Sequence, residues 1–163
     1  MFSAGDMVIY GSVGVCKIED VNINSIAGVS REYYILKPID TDKSVIYVPT
    51  DNEKLTSRMR PMYTKEEVED IVSATSKRKI DWVEDDNDRL EKYRAIVSSG
   101  KIDDMIMLFR TLHDFMLYRE SISKRMPRHE EIIYKDVLRI LSEEFLTVMQ
   151  LSSDEMMKLI LCK

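Results

Sequence analysis

Apolar positions along this chain follow two different periods, and the change falls at Arg60–Tyr63. Before it, β-branched and aromatic residues come in short runs: Met7–Tyr10, Val15–Val21, Glu32–Leu36 and Val45–Val48. Glycines and prolines separate the runs, which is the pattern of short strands joined by tight turns. Turns are predicted at Gly11-Ser12-Val13-Gly14, at Ala27-Gly28 and at Asp40-Thr41-Asp42-Lys43. Four or five strands in roughly 60 residues predict a small antiparallel barrel, which limits exposed edges by closing on itself. Pro49 directly follows Val45–Val48, marking that strand as an edge or as ending there, because proline cannot donate to a ladder.

After Tyr63 the period is about 3.6. Thr64-Lys65-Glu66-Glu67 is a capping box that opens a helix to about Ala74. Asp81 or Asp85 caps the next helix, and Gly100 is placed to end it where positive φ costs nothing. Ile102, Met105, Ile106, Phe109, Leu112 and Met116 form one apolar stripe on a third helix, which ends at 121–125 ahead of Pro127. Ile133, Val137, Ile140, Leu141, Glu144 and Val148 line a fourth over Arg128–Met149, with Phe145 beside them. Ser152-Ser153-Asp154-Glu155 opens a short last helix, Met156–Leu161. The fold class is therefore α+β: a small antiparallel barrel over residues 1–60, then an all-α module of about five helices over 61–163.

One polar stretch, Lys77–Arg94, stands apart from both patterns and holds the only tryptophan. Trp82 has Asp81, Glu84, Asp85 and Asp86 around it, a poor setting for bulk core filling. Two roles stay open: a cap packing the start of the next helix, or an anchor aimed at a partner. Basic residues gather nearby, with Lys77-Arg78-Lys79 before the indole and Arg89, Lys92 and Arg94 after it. A second group, Arg119, Lys124, Arg125 and Arg128, falls between the third and fourth helices. These can meet phosphates or form an ordinary mixed-charge surface. The net charge of −5 supplies no general basic field, so any DNA contact would be local.

Composition narrows the chemistry further. With 44% hydrophobic residues the chain has the material for a core. No apolar run is long enough for a bilayer, and the N-terminus lacks the pattern of a signal peptide. Cys16 and Cys162 are far apart and read as free thiols, so a cytoplasmic protein is expected. His113 and His129 lie on different helices, neither with a second ligand at metal spacing. There is no glycine-rich phosphate loop and no nucleophile elbow, and Glu84–Asp86 and Glu130-Glu131 read as solvated faces. The methionines fall mostly at helix-periodic positions and read as core. The expectation is a binding protein rather than an enzyme, with no cofactor, metal, membrane or small-molecule substrate.

Phe2-x-x-Gly5-Asp6-x-Val8-x-Tyr10, followed by Gly14-Val15-x-Lys17-Ile18, resembles the opening of the CarD/CdnL family of bacterial transcription regulators. Glu32-Tyr33-Tyr34-Ile35-Leu36-Lys37, Val45-Ile46-Tyr47-Val48-Pro49 and the Trp82…Arg89…Gly100 segment continue the resemblance over essentially the whole chain. It implies an N-terminal Tudor-like barrel, related to a module of the transcription-repair coupling factor, that docks on the RNA polymerase β subunit. It also implies a helical domain that contacts promoter DNA in the minor groove near the −10 region and stabilises the open complex.

Adding an edge strand to a partner's sheet would suit the first contact, with Val45, Ile46, Tyr47, Val48 and Pro49 as the candidate residues. Trp82, Arg89, Lys92, Arg94, Lys124 and Arg125 are the candidates for the second, the indole acting as a wedge. A protein-only adaptor that binds polymerase without touching DNA is the alternative. The sequence departs from the family pattern in that Trp82 lies about one helical turn further from the helix-ending glycine, a shift of about 5 Å along a helix. Asp86 stands where that indole would fall, and Tyr47 replaces an arginine that often contacts polymerase.

Overall fold

A computed structural model describes residues 1–40 and 44–161, which divide into two compact units, Met1–Met62 and Tyr63–Lys163. In the first unit the strands are β1 (Met7–Tyr10), β2 (Gly14–Ile26), β3 (Val29–Pro38), β4 (Ile46–Pro49) and β5 (Met59–Pro61). A one-turn helix, α1 (Glu53–Thr56), connects the last two. All pairings are antiparallel, in the order β4-β3-β2-β1-β5. The expected closure is not seen: β4 and β5 are the outer strands, so among the described residues the sheet is open. α1 and β5 are too short to show a period, which is why the sequence pattern passed over them. The turn predicted at 40–43 lies mostly outside the described residues.

Val8, Tyr10, Cys16, Ile18, Leu36 and Val48 build the core of this unit. Strict alternation fails at one place, where the β2–β3 register slips between Ile18 and Asp20. The bulge lets Ile18 and Val21, three residues apart, face the same core. β2 and β3 run on past this core to Ile26 and Val29, joined by Ala27 (φ 51) and Gly28 (φ 79). Two successive positive φ values match a type I′ turn, whose twist suits the flanking strands.

The second unit holds α2 (Lys65–Ala74), α3 (Asp86–Ser99), α4 (Ile102–Ser121), α5 (Arg128–Met149) and α6 (Ser153–Leu161). Its caps are those the side chains dictate. Glu67 N–H donates to Thr64 Oγ1 at 3.2 Å and Thr64 N–H to Glu67 Oε2 at 2.8 Å. Of the two candidates for α3, Asp85 is the cap, accepting from Asn87 and Asp88 N–H at 2.9 and 3.0 Å. Gly100 closes α3 in the left-handed region at φ 69. Ser152 and Glu155 cap α6, and hydrogen bonds from the Ser152 backbone and hydroxyl hold the Glu155 carboxyl below its usual range. Thr64→Ala is expected to cost about 1 kcal/mol, read as a lower urea midpoint with an unchanged slope.

α4 is more central than one stripe implies. Every residue from Met105 to His113 is buried, because α2, α3, α5 and α6 all pack against it. Phe109, Tyr93 and Phe145 fill the space between helices. Arg110 lies within this core, with Nε donating to the Ile160 carbonyl at 2.8 Å and a terminal nitrogen to the Thr75 carbonyl. It thereby supplies donors to the C-terminal ends of α6 and α2, where carbonyls lack helical partners. No helix among the described residues is long and apolar enough to cross a membrane.

Candidate functional site

β4 is an edge strand with few groups to offer. Thr50 N–H donates to the Glu32 carbonyl at 3.0 Å, and Val48 pairs with Tyr34 and Ile46 with Leu36 in the same register. Bonded and non-bonded pairs alternate in an antiparallel ladder. Ile46 and Val48 therefore turn their backbone groups toward β3, while Tyr47 and Pro49 turn theirs away. Pro49 has no N–H, so Tyr47 carries the single outward donor of β4. The proline costs the β3–β4 ladder nothing and blunts the free edge. Gly11 N–H donates to the Arg58 carbonyl at 3.0 Å, and the same alternation turns Pro61 outward on β5.

The five candidate residues of this edge divide by burial. Val48 is fully buried, so its side chain is core and cannot reach a partner, a correction imposed by alternation. Ile46 and Pro49 are half-buried, and Val45 lies exposed just ahead of the strand. Tyr47 is 45% exposed, and its ring meets Tyr33 edge-on with centroids 6.1 Å apart.

In the helical unit Trp82 lies in the extended segment between α2 and α3. Ile80 N–H donates to Thr111 Oγ1 at 2.9 Å, and Lys79 pairs with Asp114, tying that segment to α4. The indole packs on Phe115 of α4, with centroids 4.9 Å apart and an interplanar angle of 49°. The Arg89 guanidinium carbon sits 4.4 Å from the ring centroid. The ring is 42% exposed, so it is packed and solvent-facing at once.

Arg89 departs from expectation. It is only 4% exposed and donates to the carbonyls of Val83 (2.8 Å) and Glu84 (3.3 Å) and to the carboxylates of Asp86 (2.6 Å) and Glu130 (2.8 Å). Burial disfavours its charge, but the bonds to Glu130 and Asp86 and their charges outweigh that and leave its pKa raised. So enclosed, it cannot reach a phosphate; it underpins the indole. Lys92 is half-buried and its Nζ donates to the Asp81 carbonyl at 3.3 Å.

Arg94, Lys124 and Arg125 are exposed, on two different surfaces. Arg94 lines a cleft of about 710 Å³ beside Trp82, together with Arg119 and His129. Lys124 and Arg125 line a separate groove of about 350 Å³ with Met116, Met126 and Tyr134. Sequence reasoning missed Phe115, Glu130 and His129 as neighbours of the indole. Of these only Phe115 left a signal, an aromatic lying off the apolar stripe of its helix.

A family model for the CarD-like/TRCF RID domain matches residues 2–62. Those residues are similar to a CarD-like/TRCF RID domain. The class is one that interacts with RNA polymerase, and the match covers the first unit and none of the second. No curated protein matches the chain. Residues of the opening motif hold the first unit together. Phe2 packs edge-on against Tyr34 at 6.1 Å, and Asp6 Oδ2 accepts Ser3 N–H at 2.8 Å. Gly5, at φ 94, donates to the Ile18 carbonyl at 2.7 Å, and Asp6 carbonyl accepts Ile18 N–H at 2.9 Å. The motif thus fastens the N-terminus of the first unit to β2.

Proposed function

We propose that this chain is a transcription regulator that joins the RNA polymerase β subunit through β4 of its RID domain and contacts promoter DNA through its helical unit. The observation that carries the reading is the RID domain itself, whose β4 keeps an outward backbone at Tyr47 and an exposed tyrosine ring. A short strand of the β subunit pairs there, held by backbone hydrogen bonds and by contact with Tyr47. That tether raises the local concentration of the helical unit near the promoter, so a net-acidic chain can use a weak DNA contact.

The DNA half rests on Trp82. A ring seated on Phe115 and Arg89 and still 42% exposed is a rigid apolar wedge, suited to an unstacked step at the edge of the melted region. Trp82→Ala is expected to shorten the open-complex lifetime on cognate polymerase about tenfold, the scale of one stacking contact. Co-precipitation of the β subunit with the full chain should be unaffected by the same change.

The enclosure of Arg89 and the acids at 84–86 favour a second reading, a protein-only adaptor without DNA contact. Under it the lifetime does not change with Trp82→Ala, although the variant folds and binds polymerase.

A further inference from the structure

We infer that the groove between the end of α4 and the start of α5 is a docking site for an acidic amphipathic helix of another protein. Such a contact is separate from both polymerase capture at β4 and any contact with DNA. The floor of the groove is apolar: Met116 of α4, Met126 of the connecting segment, and Tyr134 and Leu138 of α5. All four are half-buried, so each keeps surface for a partner to cover. Leu117 and Ile122, at the same end of α4, are 43% and 42% exposed. A trough of about 350 Å³ walled by two helices suits the apolar stripe of a third, and flexible methionines adapt to its side chains.

Charge selects the partner. Lys124, Arg125 and Lys135 line the groove against Glu120 and Glu131. Lys135 holds Glu131 at 2.6 Å, and with Arg125 and Arg128 it keeps this carboxyl below its usual range. Among the described residues Lys124 and Arg125 form no ion pair, and both are exposed. α5 begins after Pro127 without a side-chain cap, so the partial positive charge of its first turn adds to the same end. The rim is thus cationic on a chain whose net charge is −5. A nucleic-acid backbone would meet the cations and leave the methionines and Leu138 uncovered, whereas an acidic amphipathic helix meets both.

Three labelled peptides of about four turns test the site by fluorescence anisotropy with the full chain. The first has leucines at i, i+3, i+4 and i+7 spacing and glutamates elsewhere. The second carries lysines in place of the glutamates, and the third scrambles the residues of the first. The acidic amphipathic peptide is expected to bind about tenfold more tightly than the basic one, the scale of two exposed ion pairs. The scrambled peptide should lose most of the binding. Lys124→Glu combined with Arg125→Glu should reverse the preference between acidic and basic peptides. Met116→Gln should weaken the acidic peptide several-fold at an unchanged unfolding midpoint, because glutamine keeps the helix propensity. Leu146→Gln, at an exposed position of α5 outside the groove, should change nothing.

Equal affinity for the acidic and basic peptides, or for the ordered and scrambled ones, overturns the assignment, as does a chain that binds none of them. A labelled duplex that displaces the acidic peptide, and whose own binding falls with Met116→Gln, makes the groove a nucleic-acid surface instead. Dimerisation of the chain that Met116→Gln abolishes makes the occupant a second copy. Either result overturns docking of a foreign helix.

Discussion

Arg89→Ala is expected to destabilise the helical unit by about 3 kcal/mol, because it leaves Glu130 buried without its charge partner. A loss of that size should lower the midpoint of thermal unfolding by on the order of 10 °C. The carbonyls of Val83 and Glu84 lose their donor in the same step, so the segment that carries Trp82 should loosen. Emission from the single indole should move to the red, and acrylamide should quench it more readily.

A paired change separates the two effects. Replacing Arg89 and Glu130 together with methionine removes both buried charges and should recover much of the stability. It should not restore the seat of the indole, which needs the guanidinium against its ring. An unchanged unfolding midpoint in Arg89→Ala would show that the pair is not closed in solution. A shifted midpoint with unchanged emission would mean that Phe115 alone holds the ring.

Tyr47→Pro is expected to weaken capture of the RNA polymerase β subunit roughly thirtyfold, the equivalent of about 2 kcal/mol for a lost interfacial backbone bond. The substitution removes the one outward N–H of β4 and none of the bonds that β4 makes to β3. Tyr47→Ala keeps that donor and removes only the exposed ring, so it should cost less. Thermal unfolding of the full chain controls for damage to the sheet. Equal capture by Tyr47→Pro and the unaltered chain would remove strand pairing at β4 from the mechanism.

Much of the architecture was legible in the sequence because it is locally encoded. Thr64 with Glu67, Asp85 and Gly100 set helix ends through atoms within a few residues of one another. Ala27-Gly28 sets the β2–β3 hairpin in the same local way. The site was less legible. Arg89 reads as a surface cation from its charged neighbours, and its buried partner Glu130 lies far along the chain, out of reach of local pattern. Adjacency groups Val48 with Tyr47, although alternation sends the first into the core and the second to solvent. Strand number predicts barrel closure, yet closure depends on how far the outer strands curl toward each other, and β4 and β5 stay unpaired with one another.

By itself the sequence determined the order of the longer strands and helices, most of their caps and turns, and the opening motif that resembles a CarD-like/TRCF RID domain. Each of these depends on backbone preferences and side-chain bonds that act over a turn or two. Only the tertiary structure decided which charges are spent inside and which remain outside. Arg89 and Arg94 lie five residues apart on one helix, one enclosed by carboxylates and carbonyls and the other open beside Trp82. The reason is physical: a charge's role depends on what surrounds it in space, and the carboxylate that completes the enclosure of Arg89, Glu130, comes from α5, distant in the chain.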